Sequence, residues 1–574
     1  MSDPVLLPAP QRMELGRRRL AWSEPAAVLE PGHPVEGYRL VTGSEGIRLS
    51  ASDEAGLARG RATLAQLREP DGVAEADITD WPDFPIRGVM LDISRDKVPS
   101  LATIKSIIDL MAGWKLNHLQ LYMEHTFAYS DHEEVWRRAS PLSAAEITEL
   151  AGYAGQRHVE LAANQNALGH MERWLCKDRY RPLAIAPRAY LDEKGRPHFP
   201  STLDPTNPGS LELVRSLLAE LLENFDSPLV NVGLDEPWEL SADRAGDYGA
   251  YISALRAAPE LDGRQMLIWG DIVAQHPELV GGIPEGVTVL DWGYEADHPF
   301  DQRGRVLAGA GLPFWVCPGT SSWNSLLGRW TNARDNCLNA ARVGLEHGAG
   351  GYLITDWGDG GHLQPWPVSL PGLAAGAAAG WNAGAAGSTD FLAALAEAPL
   401  DGGRLGEGGA RALLALGDAH LAVGTQSPNT VSVLLHLIWP HLRVGQRSTA
   451  GLDHAQLDSY DAALDHGLAL AGTGDGASGH QVRTELNLMV AIAKLMSEDA
   501  RGRLDGDGSL ASIPAAQRGR LADRVPALVD EHRRLWLERN RPGGLDDSAG
   551  RLEHLADCYR DGRGSAFVPP WVMA

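Results

Sequence analysis

The stretch Leu229-Val230-Asn231-Val232-Gly233-Leu234-Asp235-Glu236-Pro237-Trp238 decides how the rest of the chain is read. It opens as an apolar, β-branched run, the pattern of a buried strand. It closes on two adjacent carboxylates. Successive side chains of a strand point to opposite faces, so one strand cannot bury both, and the pair belongs where the strand stops. Pro237 has no N–H for a sheet ladder and marks the same boundary. Acids at a strand end also serve as helix N-caps, so this stretch alone leaves a structural and a chemical role about equally open.

Outward from it, short apolar runs alternate with amphipathic segments. The runs are Gly88–Ile93, His118–Met123, Val159–Ala163, Leu229–Leu234, Met266–Trp269, Val287–Leu290, Phe314–Cys317 and Tyr352–Thr355. Leu101–Trp114, Ala144–Ala154, Leu211–Asn224 and Ala333–His347 are examples of the helical segments between them. Strand–helix alternation predicts a parallel sheet, and eight such runs predict a closed (β/α)₈ TIM barrel over residues 84–390. A doubly wound open sheet is the alternative, but no Gly-rich phosphate loop follows the first run. A small α+β domain is expected over residues 1–83 and an α-helical domain over 391–574. The arginines around Arg539-Asn540-Arg541 read as a solvated face, with an active-site rim as the lesser alternative, and the Ala/Gly tract from Ala374 to Gly387 as a closely packed helix.

With 574 residues the chain is too long for one core. The 51 Lys+Arg against 75 Asp+Glu give a net charge of −24, which argues against nucleic acid and against anionic membrane surfaces as partners. No run is long enough to span a bilayer, and no secretory h-region is visible, so a cytoplasmic setting is expected. Cys176, Cys317, Cys337 and Cys558 are scattered without zinc spacing, and Asp131-His132-Glu133-Glu134 reads as a loop or helix start. Neither a metal nor a cofactor is implied.

A barrel carries its function at the C-terminal ends of its strands. Those ends hold Asp92 and Arg95, Glu124-His125, Asn164-Gln165-Asn166 with His170, Asp235-Glu236, Trp269 and Asp271, Asp291, Trp292 and Tyr294, Trp323-Asn324, and Asp356, Trp357 and Asp359. Each has an ordinary structural reading alone. Together, indoles that pack on the C–H faces of a sugar and acids and amides that bind its hydroxyls describe a carbohydrate pocket. Two-carboxylate glycoside hydrolysis needs its acids on opposite sides of the bond, which neighbours in sequence cannot provide. Help from a substrate acetamido group resolves this: one acid orients it, the other protonates the leaving oxygen.

At this point the residues resemble the glycoside hydrolase family 20 β-N-acetylhexosaminidases. The matching stretches are Phe84-Pro85-Ile86-Arg87-Gly88-Val89-Met90-Leu91-Asp92-Ile93-Ser94-Arg95, Ala167-Leu168-Gly169-His170, Val232-Gly233-Leu234-Asp235-Glu236, and Trp357. The resemblance implies exo-acting removal of terminal β-linked GlcNAc or GalNAc, with retention through an oxazolinium intermediate. It implies Glu236 as general acid/base, Asp235 as the residue that holds the acetamido N–H, and His170 backed by Glu124. Arg87 is implied to grip the outer hydroxyls, and Trp269, Trp292 and Trp357 to wall the pocket. Asn166, Tyr294, Trp323 and Asn324 complete the expected binding residues. Many members have Asp after the second strand, where this chain has Glu124. The tyrosine usual near the seventh strand is replaced by Cys317-Pro318-Gly319-Thr320-Ser321-Ser322-Trp323-Asn324, so Tyr294 or Asn324 is expected to bind the acetamido oxygen. A conventional glycosidase using Glu236 with Glu295 or Asp356, and a sugar-binding protein without catalysis, are the other readings. A small oligosaccharide or glycoconjugate is the expected partner, with a homodimer compatible.

Overall fold

A computed structural model describes residues 4–191, 197–400, 402–425, 427–472 and 476–572. Eight parallel strands close into a barrel: β1 Ile86–Asp92, β2 His118–Tyr122, β3 Glu160–Asn164, β4 Leu229–Asn231, β5 Gln265–Trp269, β6 Val287–Trp292, β7 Phe314–Cys317 and β8 Gly351–Asp356. Closure runs from β8 back to β1, in register from Gly351↔Ile86 to Asp356↔Leu91. The principal helices after each strand are α1 Leu101–Gly113, α2 Ala144–Gly155, α3 Pro208–Leu222, α4 Ala245–Arg256, α5 Asp271–Gln275, α6 Phe300–Gly309, α7 Trp330–His347 and α8 Leu370–Trp381. Local chemistry sets their starts. Ser100 caps α1, Ser143 and Glu146 form a capping box on α2, and Asn207 with Pro208 opens α3.

The Ala/Gly tract is the closely packed helix α8, every residue of which is buried. A Cβ on Gly376 would come within 2.3 Å of Ile354 Cδ1, so this small residue is what lets α8 lie against β8. The helix ends at Trp381, earlier than the tract, and a separate turn covers Ala383–Ala386.

Ahead of the barrel, strands Arg12–Leu20, Ala26–Leu29, Tyr38–Gly43, Gly46–Ala51 and Gly72–Asp80 form a sheet with the helix Glu54–Leu67. Arg12–Leu20 is easy to miss in sequence because it is charged and largely exposed. This unit packs under the N-terminal end of β1, where Trp381 enters its core.

Beyond the barrel the chain is helical: α9 Gly406–Gly417, α10 His454–Leu470, α11 Gly476–Leu504, α12 Ala515–Arg539 and α13 Leu545–Asp561. Within the region expected to be helical, residues 431–442 form only the short turns Ser432–Leu434 and Leu435–Ile438, and Pro440 follows. The arginine cluster is not simply a solvated face. Arg539 is buried in an ion pair with Glu485, and its carbonyl accepts from Ser100 N and Thr103 Oγ1 at the start of α1. Arg541 pairs with Glu146 on α2. Only Arg533 and Arg534 face outward, paired with acids on the surface. The barrel and the helical region share one continuous apolar core.

Candidate active site

β4 leaves the sheet three residues before its apolar run ends. Gly233 and Leu234 take left-handed backbone angles, φ 69° and 71°, which end the extended conformation. A side chain at Gly233 is excluded, since a Cβ would stand 2.4 Å from Asn166 Oδ1. That oxygen accepts from Leu234 N (3.2 Å) and Ala167 N (2.9 Å). Glu236 is also left-handed, φ 45°, and its N–H is held by Asp271 Oδ2 at 3.1 Å. Left-handed non-glycine residues cost on the order of 1 kcal/mol each, and these side-chain acceptors offset it. The result places both acids at the barrel mouth, where one oxygen of each approaches His170 Nε2.

Their surroundings differ. Asp235 is buried; its Oδ1 accepts from Asn166 Nδ2 at 3.0 Å, and its Oδ2 lies 3.3 Å from His170 Nε2. Burial alone would raise its pKa, but the His170 charge, with the Asn166 hydrogen bond, outweighs it, and the carboxyl is held below its ordinary value. Burial works against the His170 imidazolium, yet the Asp235 carboxylate lifts its pKa well above the usual value. Glu236 is more accessible, with 32% of its side chain exposed and Oε2 3.4 Å from His170 Nε2. Neither histidine contact is aligned as a hydrogen bond. A buried anion, a shared imidazolium and an accessible acid are thus brought together from the loops after β3 and β4.

Arg95 is the hub beside them. Its Nε lies 3.1 Å from Glu124 Oε1, its Nη1 3.3 Å from Asp92 Oδ2, and its guanidinium sits over the Tyr122 and Trp357 rings at 4.6 and 4.9 Å. Asp92 in turn accepts from Ser94 N, Arg95 N and Gly358 N, which ties the loop after β1 to the loop after β8. Glu124 also accepts from Tyr122 O–H at 3.1 Å. Burial raises the Glu124 pKa, with Arg95 opposing.

Two sequence expectations are corrected here. Arg87 does not face the strand ends. It lies at the start of β1, fully buried, donating to the carbonyls of Phe84, Pro85 and Lys115 and to Glu36 Oε2 at 2.7 Å. Position two of a seven-residue strand is at the far end of the barrel from its last residue, and the arginine there serves the N-terminal unit. The expected Glu124–His170 link is also replaced: Glu124 turns to Arg95 and Tyr122, while His170 sits between the two acids.

The other expected residues divide between wall and support. Trp269 and Trp357 meet at 5.7 Å, and Trp292 stacks on Tyr294 at 5.2 Å. The indole N–H groups of Trp269 and Trp292 are buried without a partner, which leaves two donors unmet beside the acids' strand ends. Tyr294 Oη accepts from Trp357 Nε1 at 2.7 Å and also has the Thr355 hydroxyl as a neighbour. Asn332 and Asn336 on α7 fix the backbone on either side of Tyr294. Trp323 is 1% exposed and packs edge-on behind Tyr294, so it backs the wall. Asn166 is fully buried and, with a further bond to Tyr122 Oη, supports Asp235. Asn324 is engaged by Asp359 and by Gly360 N. Glu295 is held by both Arg329 nitrogens and Asn429 N, and Asp356 by the hydroxyls of Thr320, Ser322 and Ser369, so neither is free as a second carboxylate.

Arg95, Asp271 and Asp359 stood among the strand-end residues without an assigned role, and Tyr122 was not among them. The Asp92-x-x-Arg95 spacing was the signal for the first; nothing in sequence marked Tyr122, whose hydroxyl joins Asn166 to Glu124. Burial and the Asp235 charge push Asp271 up to about 7. An unfolded Asp titrates near ~3.9, so the folded state holds a proton that the unfolded state has lost between those values. The associated stability is full below the unfolded pKa and is lost as pH rises through 7. Denaturant unfolding is therefore expected to show Asp271→Asn losing less stability than wild type between pH 5 and 8, by on the order of 2 kcal/mol. Equal losses in the two proteins would refute this account.

Comparison with known proteins gives a consistent result. The profile of the glycosyl hydrolase family 20 catalytic domain matches residues 84–305, and that of the family's domain 2 matches residues 9–81. The β-hexosaminidase of Akkermansia muciniphila is 26% identical over 261 residues, 41% of this chain and 52% of that protein. The β-hexosaminidase subunit alpha of Bos taurus is 34% identical over 155 residues, 24% of this chain and 29% of its own length. The match thus spans about half of these relatives or less. Among solved structures, the exo β-N-acetylglucosaminidase of Vibrio harveyi in complex with N-acetylglucosamine superposes with a TM-score of 0.54 at 19% identity, over 66% of this chain and 73% of that one, a likeness of fold. Among the described residues, no helix is long and apolar enough to cross a membrane.

Proposed function

The chain belongs to glycosyl hydrolase family 20, and from that premise we propose that it hydrolyses terminal β-linked N-acetylhexosamine by a substrate-assisted, retaining route. The observation that carries this reading is the unequal pair at the end of β4: Asp235 buried and ionised beside His170, Glu236 accessible. In the first step Glu236 gives its proton to the glycosidic oxygen as the C1–O bond breaks. The acetamido carbonyl oxygen of the sugar forms the new bond to C1, giving an oxazolinium. Asp235 accepts the acetamido N–H and stabilises the charge that develops there. In the second step Glu236 takes a proton from water, which attacks C1 and reopens the ring with retained configuration. Tyr294 is the proposed donor to the acetamido oxygen, and Arg95 the cation on the outer hydroxyls. The engagement of Glu295 and Asp356 elsewhere disfavours a conventional protein nucleophile.

Parallel kinetics test this. Aryl β-N-acetylglucosaminide or galactosaminide is expected to turn over, the matching β-glucoside to turn over at least about 10²-fold more slowly, and a thiazoline mimic of the oxazolinium to inhibit. Cleavage of the β-glucoside at a comparable rate would point to a conventional mechanism. Binding without turnover of either aminosugar would reduce the protein to a sugar-binding one.

A further inference from the structure

The opening turn of α13, in the helical region that neither family profile matches, reaches three of the loops that build the site. Arg173, three residues after His170, donates through one nitrogen to Asp96 Oδ1 (3.2 Å) and to Asp547 Oδ2 (3.1 Å) on α13. All three groups are buried. Asp96 directly follows Arg95 and has a left-handed backbone, φ 68°. Its carbonyl sits so close to Gly544, the residue before α13, that a Cβ there would be 1.7 Å away. Next along, Ser548 Oγ donates to Gly361 O at 2.6 Å, and Gly361 N donates to Asp359 O at 2.8 Å. One helix start therefore touches the loops after β1, β3 and β8, each next to a residue of the site.

We infer that the helical C-terminal region is a working part of the site, and that Asp547 is a positioning residue that sets Arg95 and His170 through Asp96 and Arg173. The inference rests on the proposed hydrolase reading for its kinetic consequence and on geometry alone for its structural one. Buried ionic groups in a low-dielectric setting have few alternative arrangements, so losing one carboxylate re-sorts the other charges around it. Arg173 would then be shared only with Asp96, so the loop after β3 would lose its direct hold on α13, and the loop after β1 would keep only Arg551, whose Nη2 is 3.6 Å from Asp96 Oδ2.

The test compares Asp547→Asn with Asp499→Asn in the full chain. Asp499 forms an equally buried pair with Arg503 inside the helical region and touches none of the three loops, so it controls for loss of an ion pair as such. Below the melting temperature of both variants, Asp547→Asn is expected to lose 10- to 100-fold in kcat/KM, with KM raised, and Asp499→Asn to stay within about 2-fold of wild type. Amide hydrogen exchange in the same proteins is expected to rise over residues 93–98, 170–175 and 358–364 in Asp547→Asn only. Wild-type kinetics and wild-type exchange in Asp547→Asn would overturn the inference, as would equal effects of the two variants. If wild type shows no hydrolysis, the hydrolase reading fails, and the exchange comparison still decides whether Asp547 positions the loops.

Discussion

Glu236→Gln is expected to lower kcat by about 10²–10⁴-fold on a natural disaccharide or an alkyl glycoside, the range for loss of a positioned general acid. Glutamine is nearly isosteric and can still accept or donate a hydrogen bond, but it has no proton to give to the departing oxygen. The penalty should shrink with an activated aryl leaving group that departs without protonation. There the second step, in which Glu236 accepts a proton from water, becomes the slow one. Because the Glu236 side chain is 32% exposed and its backbone N–H rather than its carboxyl is what Asp271 holds, the melting temperature should move little. Asp235→Asn should behave differently. Its carboxylate is buried against His170 and Asn166, so the change costs stability as well as rate, and activated substrates should not rescue it. Steady-state kinetics across a leaving-group series measure both. Identical leaving-group dependence in Glu236→Gln and wild type would remove Glu236 from the acid role.

How far the sequence led depends on which signal was local. The barrel was legible because each strand reads as a short apolar run, and a run needs only its own residues to be recognised. The acid pair was legible for the same reason. The course of β4 was not: Val232-Gly233-Leu234 is as apolar as a strand interior, and only the carboxamide of Asn166, from β3's end, explains why the backbone turns left-handed there. Asn166 itself looks like a ligand group in sequence and acts as an internal brace. The seam between barrel and helical region was hidden because Arg539 and Arg541 carry the composition of a surface while their partners, Glu485 and Glu146, lie far away in the chain. Long-range pairing of charge leaves no periodicity to read.

The choice between two arginines on one strand shows the same limit and gives the sharpest remaining test. Arg87 and Arg95 lie eight residues apart, one before the β1 ladder is well begun and one after it ends. The family resemblance assigned the sugar-binding cation to Arg87, and Arg95 stood at the strand end without a role. In the fold, Arg87 is wholly enclosed: it shares Glu36 with Arg59, stacks over Trp381 at 4.9 Å and caps three carbonyls. Arg95 stands at the other end, between Tyr122 and Trp357. Lysine keeps the charge but not the planar fork, so it probes what each fork does. Arg87→Lys is expected to cost about 2–3 kcal/mol of stability, as several charge-assisted bonds lose their partner, while kcat/KM per folded molecule stays near wild type. Arg95→Lys is expected to lower kcat/KM by about 10²-fold, mainly through KM, because a bidentate hold on sugar hydroxyls worth about 3 kcal/mol is reduced to a point contact. Its stability should change less than that of Arg87→Lys, since Glu124 and Asp92 keep a cation between them. Chemical denaturation and steady-state kinetics on the two variants separate the roles. A raised KM in Arg87→Lys with unchanged stability would return the sugar-binding role to the far end of the strand, against the burial of that side chain.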